Sequence, residues 1–243
     1  MSLLATWTRD SHTADGVTHP VYRKGEGPGV VVIHELPGMT PDVIAFAEEV
    51  VAQGHTVVMP HLFGEPEAPP EPKGFVRSIA KVCVSKEFTK LALNETTPIA
   101  GWLRSLARAL HAEVGGPGVG VVGMCFTGGF ALAMMVDPTV VAPVVAQPSV
   151  PFPIGRRRAA DVNLSPDDLA AVKRRAAEGC AVLGLRYRDD RATGTRFDTL
   201  RRELGEAFVA VEFEGKGHCT LTEHRQPEAV ERVLGFLTER LSA

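Results

Sequence analysis

Little in the sequence points to a membrane, a disulfide scaffold or a polyanionic partner. No apolar run approaches the roughly 20 residues needed to span a bilayer. The first thirty residues, opening MSLLATWTRDSHTADG, lack a basic start and a long apolar core followed by small residues, so no secretory signal is expected. Cysteine is scarce: Cys83, Cys125, Cys180 and Cys219 are scattered, with no CxxC pair. That excludes a disulfide framework in a chain of 243 residues and favours a reduced, cytoplasmic setting. Charge of one sign is also missing, since 26 Lys and Arg against 29 Asp and Glu leave a net charge of −3, and nucleic acid is not an expected partner. No phosphate-cradling loop of the P-loop or dinucleotide type occurs, and the other histidines and cysteines show no recognisable metal-ligand spacing. Neither a metal nor an organic cofactor is expected.

What is present is ordinary globular material, 44% hydrophobic and 23% charged, with glycine and proline falling between apolar runs as turn residues. Strand-length apolar runs alternate with helix-length amphipathic stretches. Strands are expected at Val30 to His34, His55 to Met59, Gly118 to Val122, Val140 to Ala146, Cys180 to Leu185 and Phe208 to Phe213. Helices are expected at Asp42 to Gln53, Pro98 to Val114, Gly128 to Val136, Pro166 to Glu178, Gly194 to Glu203 and Pro227 to Leu241. Thr40-Pro41 supplies a cap and a first-turn proline for the first of these. The pattern is that of an α/β fold, a mostly parallel central sheet with helices on both faces. No repeat or linker divides the chain, which reads as a single domain over residues 1–243. A proline-rich, acidic excursion at about 63–94 is expected to lie over the sheet edge and to cover substrate, and Arg156-Arg157-Arg158 is expected to be a solvated turn.

The most informative stretch runs from Gly118 to Met134: an apolar strand, then Gly123-Met124-Cys125-Phe126-Thr127-Gly128-Gly129, then an Ala- and Met-rich helix. A nucleophile on such a strand-turn-helix bend projects away from the sheet, which is the logic of the G-x-S-x-G elbow with sulfur in place of oxygen. Cys125 occupies the tip, at the positive end of a helix dipole that favours thiolate. Free cysteine is commonly a buried apolar residue, but the flanking glycines argue against that here. Thr127 departs from the elbow pattern, placing a β-branched residue where glycine is usual. A cysteine attacking an acyl carbon needs an imidazole to move protons and a carboxylate to orient it, in the chain order nucleophile, acid, histidine. Asp189 and Asp190 follow one expected strand and His218 follows another, in Gly215-Lys216-Gly217-His218. Strand C-termini are where open α/β sheets collect catalytic groups. Asp190 is favoured over Asp189 by its distance from the strand, and His224 reads as a surface histidine.

These residues together resemble the dienelactone hydrolase family, the cysteine-using branch of the α/β-hydrolase fold, over about Val30 to Leu241. His34-Glu35-Leu36-Pro37-Gly38 looks like the family's glutamate-bearing loop. The resemblance gives Glu35 a part in generating thiolate beside Cys125, and makes the backbone N–H groups of Leu36 and Phe126 the oxyanion hole. The implied activity is hydrolysis of a small-molecule carboxylic ester or lactone through an acyl-thioester. Where the family binds a substrate carboxylate with an arginine shortly after the histidine, this chain has Cys219-Thr220-Leu221-Thr222 and no arginine before Arg225. Arg77 and Lys81, in the excursion, are the alternative cationic contacts. Amidotransferase-like proteins also place cysteine on an elbow, but with histidine directly after it, where Phe126 stands here. A rival of another class is a ligand-binding or thiol redox-sensing protein on the same fold.

Overall fold

Branched apolar residues in short runs build a sheet buried on both faces, and that sheet is the centre of the protein. The computed structural model describes residues 2–71, 78 and 94–242. Within them eight strands are ordered β1-β2-β4-β3-β5-β6-β7-β8. They are β1 (Thr8–Ala14), β2 (Val17–Lys24), β3 (Gly29–Ile33), β4 (Thr56–Pro60), β5 (Val119–Met124), β6 (Val140–Ala146), β7 (Val182–Tyr187) and β8 (Phe208–Phe213). The β1–β2 and β2–β4 pairs are antiparallel, and every pairing from β4 through β8 is parallel.

Side chains alternate across the sheet, as a pleated strand requires. Val30 and Val32 of β3 enter one core with Ile44, Phe46 and Val50 of α1 (Pro41–Ala52). Val31 and Ile33 enter the opposite core with Leu103 and Leu106 of α2 (Ile99–Val114) and Phe130 of α3 (Gly128–Met134). Beyond these lie α4 (Gly155–Ala160), α5 (Pro166–Ala177), α6 (Arg196–Leu204) and α7 (Pro227–Leu241). Gly120 lets α7 approach β5 closely, since a Cβ there would sit 2.5 Å from Leu237 Cδ2. Thr40 caps α1 by accepting from the Val43 N–H at 3.4 Å, with Pro41 in the first turn.

The parallel strands and their helices lie where the apolar runs put them, with ends shifted by a few residues. Three expectations change. The hairpin β1–β2 precedes the first expected strand, joined by Asp15-Gly16 with both residues at positive φ, as a two-residue hairpin turn demands. Arg156, Arg157 and Arg158 belong to the short helix α4 and not to a turn, although their side chains do face solvent or its margin. Of the excursion, residues 63–71 fold back on the N-terminal segment, with Glu67 accepting hydrogen bonds from Leu3, Leu4 and Ser2. Ser78 donates to the Pro37 carbonyl at 2.6 Å. Arg77, Lys81 and most of the remainder lie outside the described residues.

The strand order reverses direction at β3: the chain passes to β4 on one side of it and to β5 on the other. Loops leaving β3 and β5 therefore diverge and open a crevice at their C-terminal ends, the switch point at which α/β sheets bind ligands. Residues 34–38 and Cys125 flank it.

Candidate active site

Cys125 follows β5 directly and holds φ at +52°, a left-handed conformation unfavourable to a side chain. The bend leaves no room beneath it. A Cβ at Gly123 would lie 2.3 Å from the Thr127 carbonyl oxygen, and one at Gly128 would lie 2.8 Å from Pro148 Cα. Thr127 fits because its side chain turns downward, fully buried. Its Oγ1 accepts from the Met124 N–H at 3.1 Å, with the Met124 and Ile33 carbonyls at 3.0 and 3.1 Å to take its proton. The β-branched residue therefore joins the ends of β3 and β5.

Cys125 is almost covered, at 9% exposure, and packs at the margin of the apolar core, but polar groups also reach its sulfur. Ser149 Oγ lies 3.5 Å from Sγ, and the Ser149 N–H donates to the Cys125 carbonyl at 3.0 Å. His218 is near enough to Cys125 to feel its sulfur and, through Nδ1, hydrogen-bonds with Asp190 Oδ2 at 2.8 Å. Burial alone would lower the His218 pKa; the hydrogen bonds and charges of Asp190 and Cys125 outweigh it and raise it to about 11. Burial would conversely raise Asp190, but His218, Thr193 and the Ala192 N–H hold its carboxyl below the usual carboxylate range. Asp189 faces solvent. Of the two neighbouring aspartates, Asp190 is the one brought to the histidine.

The loops that carry these groups are braced from behind. Arg196, fully buried, donates to the carbonyls of Ala192 and Thr193 at 3.1 and 2.9 Å and to that of Arg158 at 2.9 Å, and it also bonds the Pro151 carbonyl. It thus ties the Asp190 turn to the segment following β6. Gly217 is needed because Tyr187 packs against it: a Cβ would come 2.5 Å from the ring. The Tyr187 hydroxyl donates to the His224 carbonyl at 2.5 Å and accepts from Gln226 Nε2 at 2.7 Å.

Glu35 is buried at the end of β3, but its carboxylate makes no hydrogen bond to Cys125. Thr222 donates to Oε1, Gln147 Nε2 lies 3.5 Å from Oε2, and the Cys219 thiol is a further neighbour. Burial pushes its pKa up, against the pull of those donors and of the His218 charge. His34, before it, accepts from the Leu62 N–H through Nε2 at 3.0 Å, which leaves the proton on Nδ1, 3.1 Å from the Glu35 carbonyl. Complete burial lowers the His34 pKa to about 3, so the ring is neutral. The peptide plane that bears the Glu35 carbonyl also bears the Leu36 N–H, so His34 orients both. Leu36 and Phe126, each directly after a strand-end site residue, are buried beside the crevice. Arg225 pairs with Glu49 at 2.7 Å on the surface.

Ser149, Gln147, Thr222 and Arg196 escape sequence reasoning because nothing in their spacing marks them. For Gln147 and Ser149, the position just past an apolar strand was the available signal.

The sequence profile of the dienelactone hydrolase family matches residues 17–231. The chain belongs to the dienelactone hydrolase family. Its membership makes it a hydrolase, and the eight-stranded sheet is that of the α/β hydrolases. Among solved structures it is similar to the α/β hydrolase GrgF of Penicillium sp. sh18, at TM-score 0.71 and 14% identity over 97% of this chain and 99% of that one. It is also similar to a dienelactone hydrolase-like promiscuous phosphotriesterase from metagenomic libraries, at TM-score 0.67 and 17% identity over 98% and 99%. A cold-adapted esterase from an Arctic intertidal metagenomic library gives TM-score 0.66 and 16% identity over 98% and 96%. No curated protein matches the sequence. No helix among the described residues is long and apolar enough to cross a membrane.

Proposed function

We propose that this dienelactone hydrolase family member cleaves small-molecule carboxylic esters or lactones through an acyl-thioester on Cys125. The observation that carries the reading is the chain of contacts from the sulfur through His218 to Asp190, with the sulfur presented on a left-handed bend. Cys125 attacks the carbonyl carbon as an anion. The developing oxyanion is received by the Leu36 and Phe126 N–H groups, donors fixed before the reaction begins. His218, protonated at rest, gives its proton to the leaving alkoxide and then takes one from the water that attacks the thioester. Asp190 holds the imidazole in the tautomer with Nδ1 protonated. Glu35, in its polar pocket behind the triad, is the candidate proton acceptor for converting thiol to thiolate when substrate displaces its partners. No step requires a metal or an organic cofactor. The whole chain acts as one catalytic domain, and the need for a reduced thiol supports a cytoplasmic setting. Arg77 and Lys81 are the proposed contacts for any substrate carboxylate.

The test is turnover of a panel of aryl esters and lactones by the wild type, Cys125→Ala and His218→Ala, with mass spectrometry for an acyl group on Cys125. Both substitutions should reduce turnover by about a thousandfold or more. Undiminished turnover in either, or no trapped acyl-cysteine during steady state with an activated ester, would overturn the mechanism. The latter result with a fully alkylatable thiol is the outcome expected of a redox sensor.

A further inference from the structure

The turn after His218 gathers a second set of reactive side chains that the hydrolytic scheme does not use as a group. Cys219, Glu223 and His224 each offer one ligand atom, and those atoms all lie within 4.8 Å of one another. Cys219 is buried; Glu223 and His224 are exposed. The Glu223 and His224 side chains make no hydrogen bond or ion pair among the described residues. Their backbone, by contrast, is firmly held. The His224 N–H donates to the Cys219 carbonyl at 3.0 Å, the Gln226 N–H to the Thr220 carbonyl at 2.8 Å, and the Tyr187 hydroxyl to the His224 carbonyl at 2.5 Å.

A thiolate, an imidazole and a carboxylate form a mixed sulfur, nitrogen and oxygen donor set. That set suits a borderline-soft cation such as Zn2+ and does not suit Mg2+ or Ca2+, which take oxygen. Bonds of about 2.0 to 2.3 Å in a tetrahedral zinc site place donor atoms roughly 3.3 to 3.7 Å apart. Two of the three side chains are exposed and unpartnered, so rotation about their own torsions can close the remaining ångström while Cys219 stays in place. Water would take the fourth position. We propose that Cys219, Glu223 and His224 form a Zn2+ site whose occupancy restrains hydrolysis.

Binding forms a sulfur–zinc bond and releases the Cys219 S–H proton to solvent, while Glu223 binds as carboxylate and His224 as neutral imidazole; no electrons are transferred. With its proton gone and its sulfur held by the metal, Cys219 no longer donates toward the Glu35 carboxylate beside it, and the change reaches hydrolysis through that carboxylate, which stands behind the triad. The inhibitory consequence rests on the hydrolase reading above, whereas the binding itself does not.

The two are separated by titrating the full-length protein with Co2+ as a spectroscopic stand-in and with Zn2+ as competitor. Cys125→Ser should retain a thiolate-to-cobalt charge-transfer band in the near ultraviolet, and Cys219→Ser should lose it. His224→Ala should weaken binding about tenfold or more while leaving metal-free turnover unchanged, and should raise the Zn2+ concentration for half-inhibition by the same factor. A band that disappears in Cys125→Ser would put the metal on the elbow sulfur and overturn the proposal. Unchanged binding in both His224→Ala and Glu223→Gln would do so equally, whatever the enzyme hydrolyses. Binding as expected, with turnover unaffected by saturating Zn2+, would refute the restraint.

Discussion

Replacing Thr127 with valine preserves side-chain volume but deletes the hydroxyl that joins the ends of β3 and β5. Oγ1 lies 3.1 Å from the Met124 nitrogen and 3.1 Å from the Ile33 carbonyl oxygen, all of it buried. Two backbone groups then lose a partner without gaining water, at about 1–3 kcal/mol each. Allowing for partial relaxation, Thr127→Val should cost about 2–4 kcal/mol. For a chain of this length that lowers Tm by roughly 4–16 °C. Thr127→Ser keeps the hydroxyl and loses one methyl, so about 1 kcal/mol is expected. Scanning calorimetry or urea unfolding of the three proteins measures the difference. Because β3 leads to the Leu36 amide and β5 to Cys125, turnover of an aryl ester should fall in the valine variant through kcat more than through KM. A valine variant within about 0.5 kcal/mol of wild type would show that the N–H and the carbonyl left behind find other partners, and the role given to Thr127 would be wrong.

The remaining predictions concern the groups around the sulfur. Asp190→Asn should reduce kcat by about a thousandfold to ten-thousandfold, whereas Asp189→Asn, whose side chain is in solvent, should change it less than about twofold; comparable losses in a steady-state assay would reassign the orienting carboxylate. Ser149→Ala removes the hydroxyl 3.5 Å from Sγ and should slow the acylation burst with a nitrophenyl ester about tenfold, and an unaltered burst would remove Ser149 from the site. Stability should depend on pH at both extremes. The raised pKa of His218 contributes stability that is fully present below about 6.5, its unfolded value, and lost as pH climbs through about 11. The depressed pKa of Asp190 contributes stability present above about 3.9 and lost as pH falls through its folded value. Urea midpoints across the pH range should show both declines in the wild type and weaker ones in Asp190→Asn, and identical profiles would count against the pairing.

What could be read beforehand divides along physical lines. β3 and β5 are apolar throughout, β4 is apolar after Thr56, and all three are wholly buried, so composition alone marks them. The strand β1, TRDSHTA, is largely exposed and holds one apolar residue, so hydrophobic patterning passes over it, and Asp15-Gly16 was the visible trace of the hairpin. Cys125, Asp190 and His218 were legible because each follows a recognisable strand at a crevice set by topology. The preference for Asp190 over Asp189 rested on distance from the strand alone, a slender signal, since adjacent residues on a turn point in different directions. Glu35 was legible as a strand-end carboxylate, but its engagement by Thr222, Gln147 and Cys219 draws on segments distant in sequence and leaves no local pattern. Arg196 is the extreme case: a guanidinium in a polar helix reads as solvent-facing, yet it is fully buried, with both terminal nitrogens bonded to carbonyls.

Gln147 sits one residue past β6 and is held on three sides. Its N–H donates to the Leu185 carbonyl at 2.7 Å, its Oε1 accepts from the Thr220 hydroxyl at 2.8 Å and the Thr220 N–H at 3.3 Å, and its Nε2 faces Glu35. One amide therefore acts as a crossbar between the loop that bears Glu35 and the loop that bears His218. Neither loop can be retuned for a new substrate without disturbing the other, so diversification of this enzyme is channelled toward the rim of the crevice and away from its floor.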